Sequence, residues 1–490
     1  MVINYLERLF VTSDAGTIIR ESDVHHPAAK MIAQAAKMQE SEAGDGTNFV
    51  ISFAGELLGQ AVSLIQMGLH PSEILIGYEK AGNEALRLVE TLACHKAENL
   101  REEAEMTRCI KSAIASKQFG LEDFLSNLIA KAAIYALPVN AKRFSCENVR
   151  VTKILGGCIE DSEVIHGMLC VRGSETTHKS CVNAKVVVFN TNIEMQQGET
   201  KGTVLLHNAD ELLSYTQGEE DKFEEFVVGL AEAGVNVVIC TGSMSELAIH
   251  FFEKYKIVAL KIMSKWEIKR LARAVGATPV VHLKTPMPEE MGFADEVSFK
   301  EISSKWCTVF RVEQSEKKMS TIVLRGSTNA LLEDVERAID DGVNTVKTLV
   351  KDPRMLAGAG ATEIYLANHL TDFAKTQPGL DQYAMERFAQ SFEVIPRTLA
   401  ENAGLKPEAI IAEMYSKAST SSTWGVDVND GTVKDANVAE IWDALDTKTW
   451  GMKLTLDVVL TILKIDQIIM SKPAGGPNMA NKPLPNPDDM

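Results

Sequence analysis

Gly44-Asp45-Gly46-Thr47-Asn48, set between two stretches of helical periodicity, is the strongest local candidate for chemistry in this chain. Glycines let backbone amides approach an anion, and the helix that follows offers its positive N-terminal end. A carboxylate at Asp45 suits the magnesium that accompanies a nucleotide. The same residues also fit a Gly-rich turn with Thr47 as a helix cap. No GK[ST] follows, so the pattern is not a Walker loop. Three other groupings carry suitable side chains. Thr12-Ser13-Asp14-Ala15-Gly16 reads as a turn between two short extended segments, where an acid is ordinarily solvated. Asp334, Arg337 and Asp341 share one face of a helix, which fits a surface ion-pair ladder or, alternatively, an Asp341 that orients the water attacking a γ-phosphate. Gly358-Ala359-Gly360-Ala361-Thr362-Glu363 opens another helix with small residues, either as an ordinary turn or as a place where adenine or ribose approaches the backbone. His25 and His26 precede Pro27 and read as capping or surface residues.

The elements that must position these residues form a nested order. Helical periodicity runs from Pro27 to about Ala97 and from Leu100 through Ala136, after which short β-type runs follow at Val149–Leu155, Val164–Val171 and Lys185–Phe189. Between Lys185 and Val280, strands and helices alternate, which predicts a small α/β domain. Strands return near Cys307–Val312 and Thr321–Leu324, and a helix from about Asn329 to Val350 is stopped by Asp352-Pro353. Helical sequence resumes from Glu363 to Ala418, and a last helix ends near Ile469. The tail from Lys472 to Met490 is too poor in apolar residues to order itself. A polypeptide that leaves one domain, builds a second and returns has this pattern, so both helical ends are expected to form one domain.

Composition narrows the function classes. The 490 residues, 45% of them hydrophobic, are enough for two to four domains of ~100–200 residues each. A formal charge of -17 with no basic run disfavours nucleic acid. Eight cysteines without a CxxC pair fit a reducing, cytoplasmic compartment better than a disulfide framework or zinc site. Met1–Phe10 carries Glu7 and Arg8 and does not read as a signal peptide, and no apolar run is expected to approach the ~18 residues that span a bilayer, so a soluble protein without a membrane partner is expected.

Taken in order, the motifs resemble the group II chaperonins of the eukaryotic cytosolic type along essentially the whole chain. Thr12 to Thr17 is similar to that family's TNDGAT turn, Gly44 to Asn48 to its GDGTT loop, and Ser116-Lys117 to its SK segment. Lys153 to Cys158 is similar to KIxGGS, Gly276-Ala277 to the GA of the apical domain, Glu336 to Gly342 to ERxxxDA, and Gly358 to Glu363 to GGGATE. The resemblance implies a multidomain α+β/α/β chaperonin fold. Its parts are a helical equatorial domain from both chain ends (1–104 and 358–471), a small α/β intermediate domain (105–173 and 321–357), and an α/β apical domain (174–320) with a helical lid protrusion at about 197–222, followed by a flexible tail (472–490).

It further implies an ATP-hydrolysing chaperone subunit that takes ATP/ADP and Mg2+, works beside paralogous subunits in two stacked eight-membered rings, and encloses unfolded or nascent proteins. Asp45 would bind the metal, and Gly44, Gly46, Thr47 and Asn48 would cradle phosphates. Asp14 and Asp341 would activate water, Lys117 would sense the γ-phosphate, Gly360 would border the nucleoside, and Asp443 would contact the ribose. Two departures from the pattern also support a nucleotide-binding but nearly non-hydrolysing subunit: the family's GPxG loop would precede Met1, and Ala15 and Ala359 stand where the family has glycine. Asn48 replaces the second threonine but still donates and accepts hydrogen bonds.

Overall fold

The computed structural model describes residues 1–4, 7, 9–178, 180–194, 209–313 and 318–469, without the side chains of 210–217 and 219. The predicted tail and the protrusion through residue 208 lie outside the described residues.

Strands β1 (Val2–Ile3) and β2 (Leu9–Phe10) pair antiparallel, and the chain then enters α1 (Ala15–Glu21). Asp14 is therefore a helix N-cap, not an acid in a turn between extended segments. Its carboxylate accepts from Gly16 N at 3.3 Å and Thr17 N at 2.8 Å, and so satisfies amides that a helix start leaves open. His26 caps α2 (Pro27–Glu42) through its ring Nδ1, as expected. Next come α3 (Thr47–Gln66), α4 (Pro71–Val89) and the short β3 (His95–Lys96). By length and composition α3 alone among the described helices reaches membrane-span hydropathy, against the sequence expectation. Its Phe53, Leu57 and Leu64 are nevertheless buried in a protein core.

The middle of the chain starts with α5 (Glu103–Ala115) and α6 (Glu122–Ala136), followed by β4 (Val149–Leu155). The run predicted at Val164–Val171 divides into β5 (Glu163–His166) and β6 (Met168–Cys170). Then β7 (Ser180–Phe189), α7 (Ala209–Glu232), β8 (Val237–Cys240), α8 (Glu246–Lys254) and β9 (Val258–Lys261) alternate, and β7, β8 and β9 lie parallel as the pattern requires. Helix α9 (Lys265–Val275) leads to β10 (Gly292–Ile302) and β11 (Lys305–Arg311). These two strands add an antiparallel half, giving a six-stranded mixed sheet in the order β6-β11-β10-β7-β8-β9.

The return leg begins with β12 (Ser320–Gly326), which pairs parallel with β4 from Ser320 opposite Val149 to Gly326 opposite Leu155. This pairing of two segments far apart in sequence closes the excursion. Helix α10 (Asn329–Lys351) follows and packs Leu332, Val335, Ile339, Val343 and Val346 against α5 and α6, a stripe at helical spacing. Strand β13 (Arg354–Ala357) then joins β3, and α11 (Ala361–Thr376), α12 (Asp381–Ser391), α13 (Val394–Asn402) and α14 (Pro407–Ala418) complete the helical layer. The hairpin of β14 (Trp424–Asp427) and β15 (Thr432–Asp435) precedes β16 (Trp442–Ala444) and α15 (Leu445–Leu463), which ends short of the predicted Ile469.

One hydrophobic core joins α3 and α4 to α11, α12 and α15, so the two chain ends fold as a single helical body. Its aromatic centre stacks Phe53 on Phe392 with ring centroids 4.5 Å apart, and the buried Tyr78 hydroxyl donates to Leu57 O at 2.9 Å. The eight cysteines form no disulfides.

Candidate nucleotide site between the chain ends

The turn at Gly44–Gly46 lies between α2 and α3, and Gly46, with φ 82°, is the N-cap of α3. Thr47 does not cap the helix; its hydroxyl donates to Asp14 Oδ1 at 2.9 Å and so ties this turn to the start of α1. Asn48 turns the same way. Its Oδ1 accepts from Ala15 N at 2.9 Å and its amide donates to Ser13 O, so its side chain fixes the Asp14 loop and does not border the cavities described below. Gln39 of α2 supports the turn from below, donating to Asp45 O at 2.9 Å and to Thr447 O at 3.0 Å. Sequence reading missed this buried amide, which joins the two chain ends.

Lys117, just past α5, draws the acids together. Its ammonium stands 2.8 Å from Asp341 Oδ2 and 3.7 Å from Asp14 Oδ1. Burial alone would lower the lysine's pKa, but Asp341, Asp45 and Asp14 outweigh it and hold the value at about 12. Burial pushes Asp341 up to about 7, with Lys117 opposing. Asp14 is also raised by burial, but Lys117 and the Thr17 and Thr47 donors leave it below its ordinary value. Asp45 is raised, by burial and by the nearby Asp443, against Lys117 and the Gly46 N–H that donates to it at 2.7 Å. The expected ladder on α10 is absent: Asp334 accepts from Gln118, and Arg337 pairs with Glu333 at 3.8 Å, leaving Asp341 to Lys117.

Three cavities adjoin around this cluster. One of about 600 Å³ has Asp14, Gly44, Asp341 and Asn344 in its wall. A second of about 100 Å³ is bordered by Asp45, Gly46, Thr345, Asp443 and Lys448. A third of about 380 Å³ opens onto Gly360, Gly425, Asp427, Asp443 and Lys448. Lys448, which the sequence reading did not single out, belongs to both of the latter. Its ammonium contacts Glu363, lies 3.2 Å from Asp443 Oδ2 and 4.9 Å from the centre of the Phe49 ring, and is held protonated well above its usual range by Glu363 and Asp443 despite burial. Ala359 keeps a left-handed backbone, φ 55°, beside Gly360 at φ 79°, so it departs from glycine in side chain and not in conformation.

The donor set fits magnesium held jointly with a polyphosphate. Among the described residues no group of three His, Cys, Asp or Glu side chains forms a metal cage. Magnesium uses one or two carboxylates with phosphate and water oxygens instead of an all-protein cage. Asp45 offers one such carboxylate, and Asp341 Oδ2, which has a charged partner but no hydrogen-bond donor aligned on it, faces the same cluster.

The match to known proteins covers nearly the whole chain. Residues 1–473 match the model of the TCP-1/cpn60 chaperonin family. T-complex protein 1 subunit theta from Dictyostelium discoideum is 48% identical over 478 residues, covering 97% of this chain and 89% of that protein. The subunits of the same name from Arabidopsis thaliana and Homo sapiens are each 45% identical over 480 residues, covering 97% of this chain and 87% of theirs. A solved structure described as the open state monomer of a group II chaperonin from Methanococcoides burtonii superposes with a TM-score of 0.65 and 27% identity, over 86% of this chain and 100% of that one. With both chain ends in one helical body, an α/β body inserted between them and this likeness along the sequence, the chain belongs to the TCP-1/cpn60 chaperonin family.

Proposed function

We propose that this chain is an ATP-hydrolysing, theta-type subunit of a double-ring hetero-oligomeric chaperonin in the cytoplasm, and that hydrolysis is coupled to closure over unfolded proteins. The observation that carries the reading is the meeting of Asp14, from the first chain end, with Asp341, from the return leg, on one lysine beside Asp45. In this reading residues 1–104 and 358–471 form the equatorial domain, 105–173 and 321–357 the intermediate domain, and 174–320 the apical domain. The apolar side chains of Val62, Ile65 and Met67, exposed on and after α3, suit contact with neighbouring subunits.

Asp45 would hold magnesium, and the turn at the N-terminus of α3 would border the phosphates through the amides of Asp45 and Thr47, since the Gly44 amide donates to Gln39 O at 3.2 Å and the Gly46 amide to Asp45. Gly360 and Asp443 would border the nucleoside. Bound magnesium neutralises phosphate charge, which this acidic site needs, because Asp14, Asp45, Asp341, Asp443 and Glu363 outnumber Lys117 and Lys448. Asp14, fixed by its cap hydrogen bonds, orients the attacking water, and Asp341 takes its proton. Lys117 holds both carboxylates in place. Because Asp341 rides on α10, chemistry requires that helix to be docked on the helical body, which couples turnover to domain movement.

Asp45→Ala is expected to weaken ATP binding in magnesium on the order of 10- to 100-fold and to change binding little in EDTA. Equal affinity for wild type and variant in magnesium would remove Asp45 from the site. A second reading, a subunit that binds nucleotide and scarcely turns it over, draws on the middle cavity of about 100 Å³, which must widen before a triphosphate fits.

A further inference from the structure

Asn344 lies one turn beyond Asp341 on α10 and presses directly on the turn at Gly44. A Cβ placed on Gly44 would stand 2.2 Å from Asn344 Cβ and 2.3 Å from its Cγ and Nδ2, closer than real side chains approach. Gly46 is different: the nearest atoms to a Cβ there are Thr447 Cγ2 at 3.1 Å and Gln39 Nε2 at 3.2 Å. The two glycines of the same turn thus leave space for different things, Gly46 within the helical body and Gly44 for a helix of the return leg.

Asn344 is held for this contact by its own surroundings. The Cys146 thiol, in a short 3-10 turn (Cys146–Asn148) beside α10, donates to Asn344 Oδ1 at 3.2 Å. One turn later Lys347 Nζ donates to Glu42 O at 3.4 Å, at the other side of the Gly44 turn. One turn earlier, Asp341 meets Lys117. Asn344 and Lys347 on one face of α10 therefore contact the helical body directly, and Asp341 reaches it through Lys117, which also lies 3.7 Å from Asp14. Of the three, only the Asn344 contact is a packing fit with no tolerance for added bulk.

We infer that Asn344 is a positioning residue for hydrolysis, seated on the bare backbone of Gly44, so that the depth of this seat sets how far Asp341 reaches toward the phosphates. This rests on the hydrolytic reading above. A displacement of about 1 Å at a reacting group costs on the order of 100-fold in rate, so a seat that fixes α10 to that tolerance controls turnover without touching water or nucleotide. The seat is also part of the turn whose amides would face phosphate, so a shift of Gly44 on nucleotide binding moves α10 with it.

The test uses assembled rings in which the paralogous subunits are silenced at their matching acid, so that this chain alone hydrolyses. Gly44→Ala is expected to lower the single-turnover rate about 100-fold at saturating ATP, the condition that separates turnover from any loss of affinity in the phosphate turn, where Gly44 has φ 76°. Asn344→Gly frees the space, and the double variant is expected to regain at least about tenfold over Gly44→Ala. No regain overturns the inference, because the added methyl would then act only on the phosphate turn. If Gly44→Ala rings do not assemble, Asn344→Phe carries the test: its ring is too large for the seat, and a rate equal to wild type overturns the inference. Asp341→Asn separates the two levels of argument. Full activity in that variant defeats the hydrolytic reading and the inference with it, whereas an inactive Asp341→Asn without regain in the double variant defeats the inference alone.

Discussion

Lys117 Nζ lies 2.8 Å from Asp341 Oδ2, although one residue follows a helix of the outgoing leg and the other sits on the long helix of the return leg. The pair is largely shielded from solvent, with side-chain exposures of 10% and 15%, so its electrostatics are strong and its disruption is costly. Replacing Lys117 with Met leaves Asp14, Asp45 and Asp341 facing one another without their common cation. Hydrolysis is expected to fall on the order of 100-fold or more in single-turnover assays, and Lys117→Arg should recover part of the loss.

Asp341 titrates near neutrality because burial raises its carboxyl to about 7. A proton acceptor works only when ionised, so the single-turnover rate should rise with pH up to about 7 and level off above it. Asp14, held below its ordinary value, stays ionised throughout and adds no second limb in that range. The same shift has the opposite sign for stability: the folded state keeps a proton that the unfolded chain releases at its ordinary carboxylate value, so this contribution declines as pH rises toward about 7. A rate profile flat from pH 5.5 to 8 would dissociate Asp341 from the chemistry.

Glu363, with 2% of its side chain exposed, depends on Lys448 for its charge partner. Removing the ammonium while leaving the carboxylate is expected to destabilise the protein by about 3–5 kcal/mol for Lys448→Met, read by thermal or denaturant unfolding. Adding Glu363→Gln should return most of that loss. If the single and double variants melt together, the contact is not a buried ion pair.

Ala359 adopts φ 55°, a conformation that costs an alanine roughly 1–2 kcal/mol relative to its preferred basins. Ala359→Gly is expected to stabilise by about 0.5–1 kcal/mol after the extra freedom of glycine in the unfolded chain is counted. ATP affinity should change little, because the backbone already follows the path glycine would take. A lower melting temperature in Ala359→Gly would contradict this.

Much of the plan was legible in the sequence because it rests on local periodicity and punctuation. Strand β4 falls on the predicted Val149–Leu155, and α10 runs from Asn329 to within a residue of the expected end, where Asp352-Pro353 cannot continue it. The parallel strands β7, β8 and β9 likewise read as buried apolar runs between helices. Strand β10 was not anticipated: Gly292–Ile302 carries acids and a lysine among its apolar residues and takes its shape from the partners on either side. The end of α15 was placed too late because Ile465, Ile468 and Ile469 look helical in composition yet are exposed past the helix.

At the site, motif order brought Asp14, Asp45, Lys117, Asp341, Gly360 and Asp443 to attention, and the fold gathers them around adjoining cavities. Spacing could not reveal Gln39, Lys448 or Asn344, because each acts through a contact between segments distant in sequence. Asn48 illustrates the converse. Its place in the glycine-rich motif suggested phosphate, but its amide is committed to the neighbouring backbone at Ser13 and Ala15.

The central claim is that acids from opposite ends of the excursion act on one nucleotide. Single-turnover hydrolysis of γ-labelled ATP tests it most directly, in rings where only this chain retains its matching acid and is compared with its Asp341→Ala form. The account requires hydrolysis by the wild-type chain and a loss on the order of 100-fold or more in the variant, with ATP still bound. Equal rates for the two would contradict it.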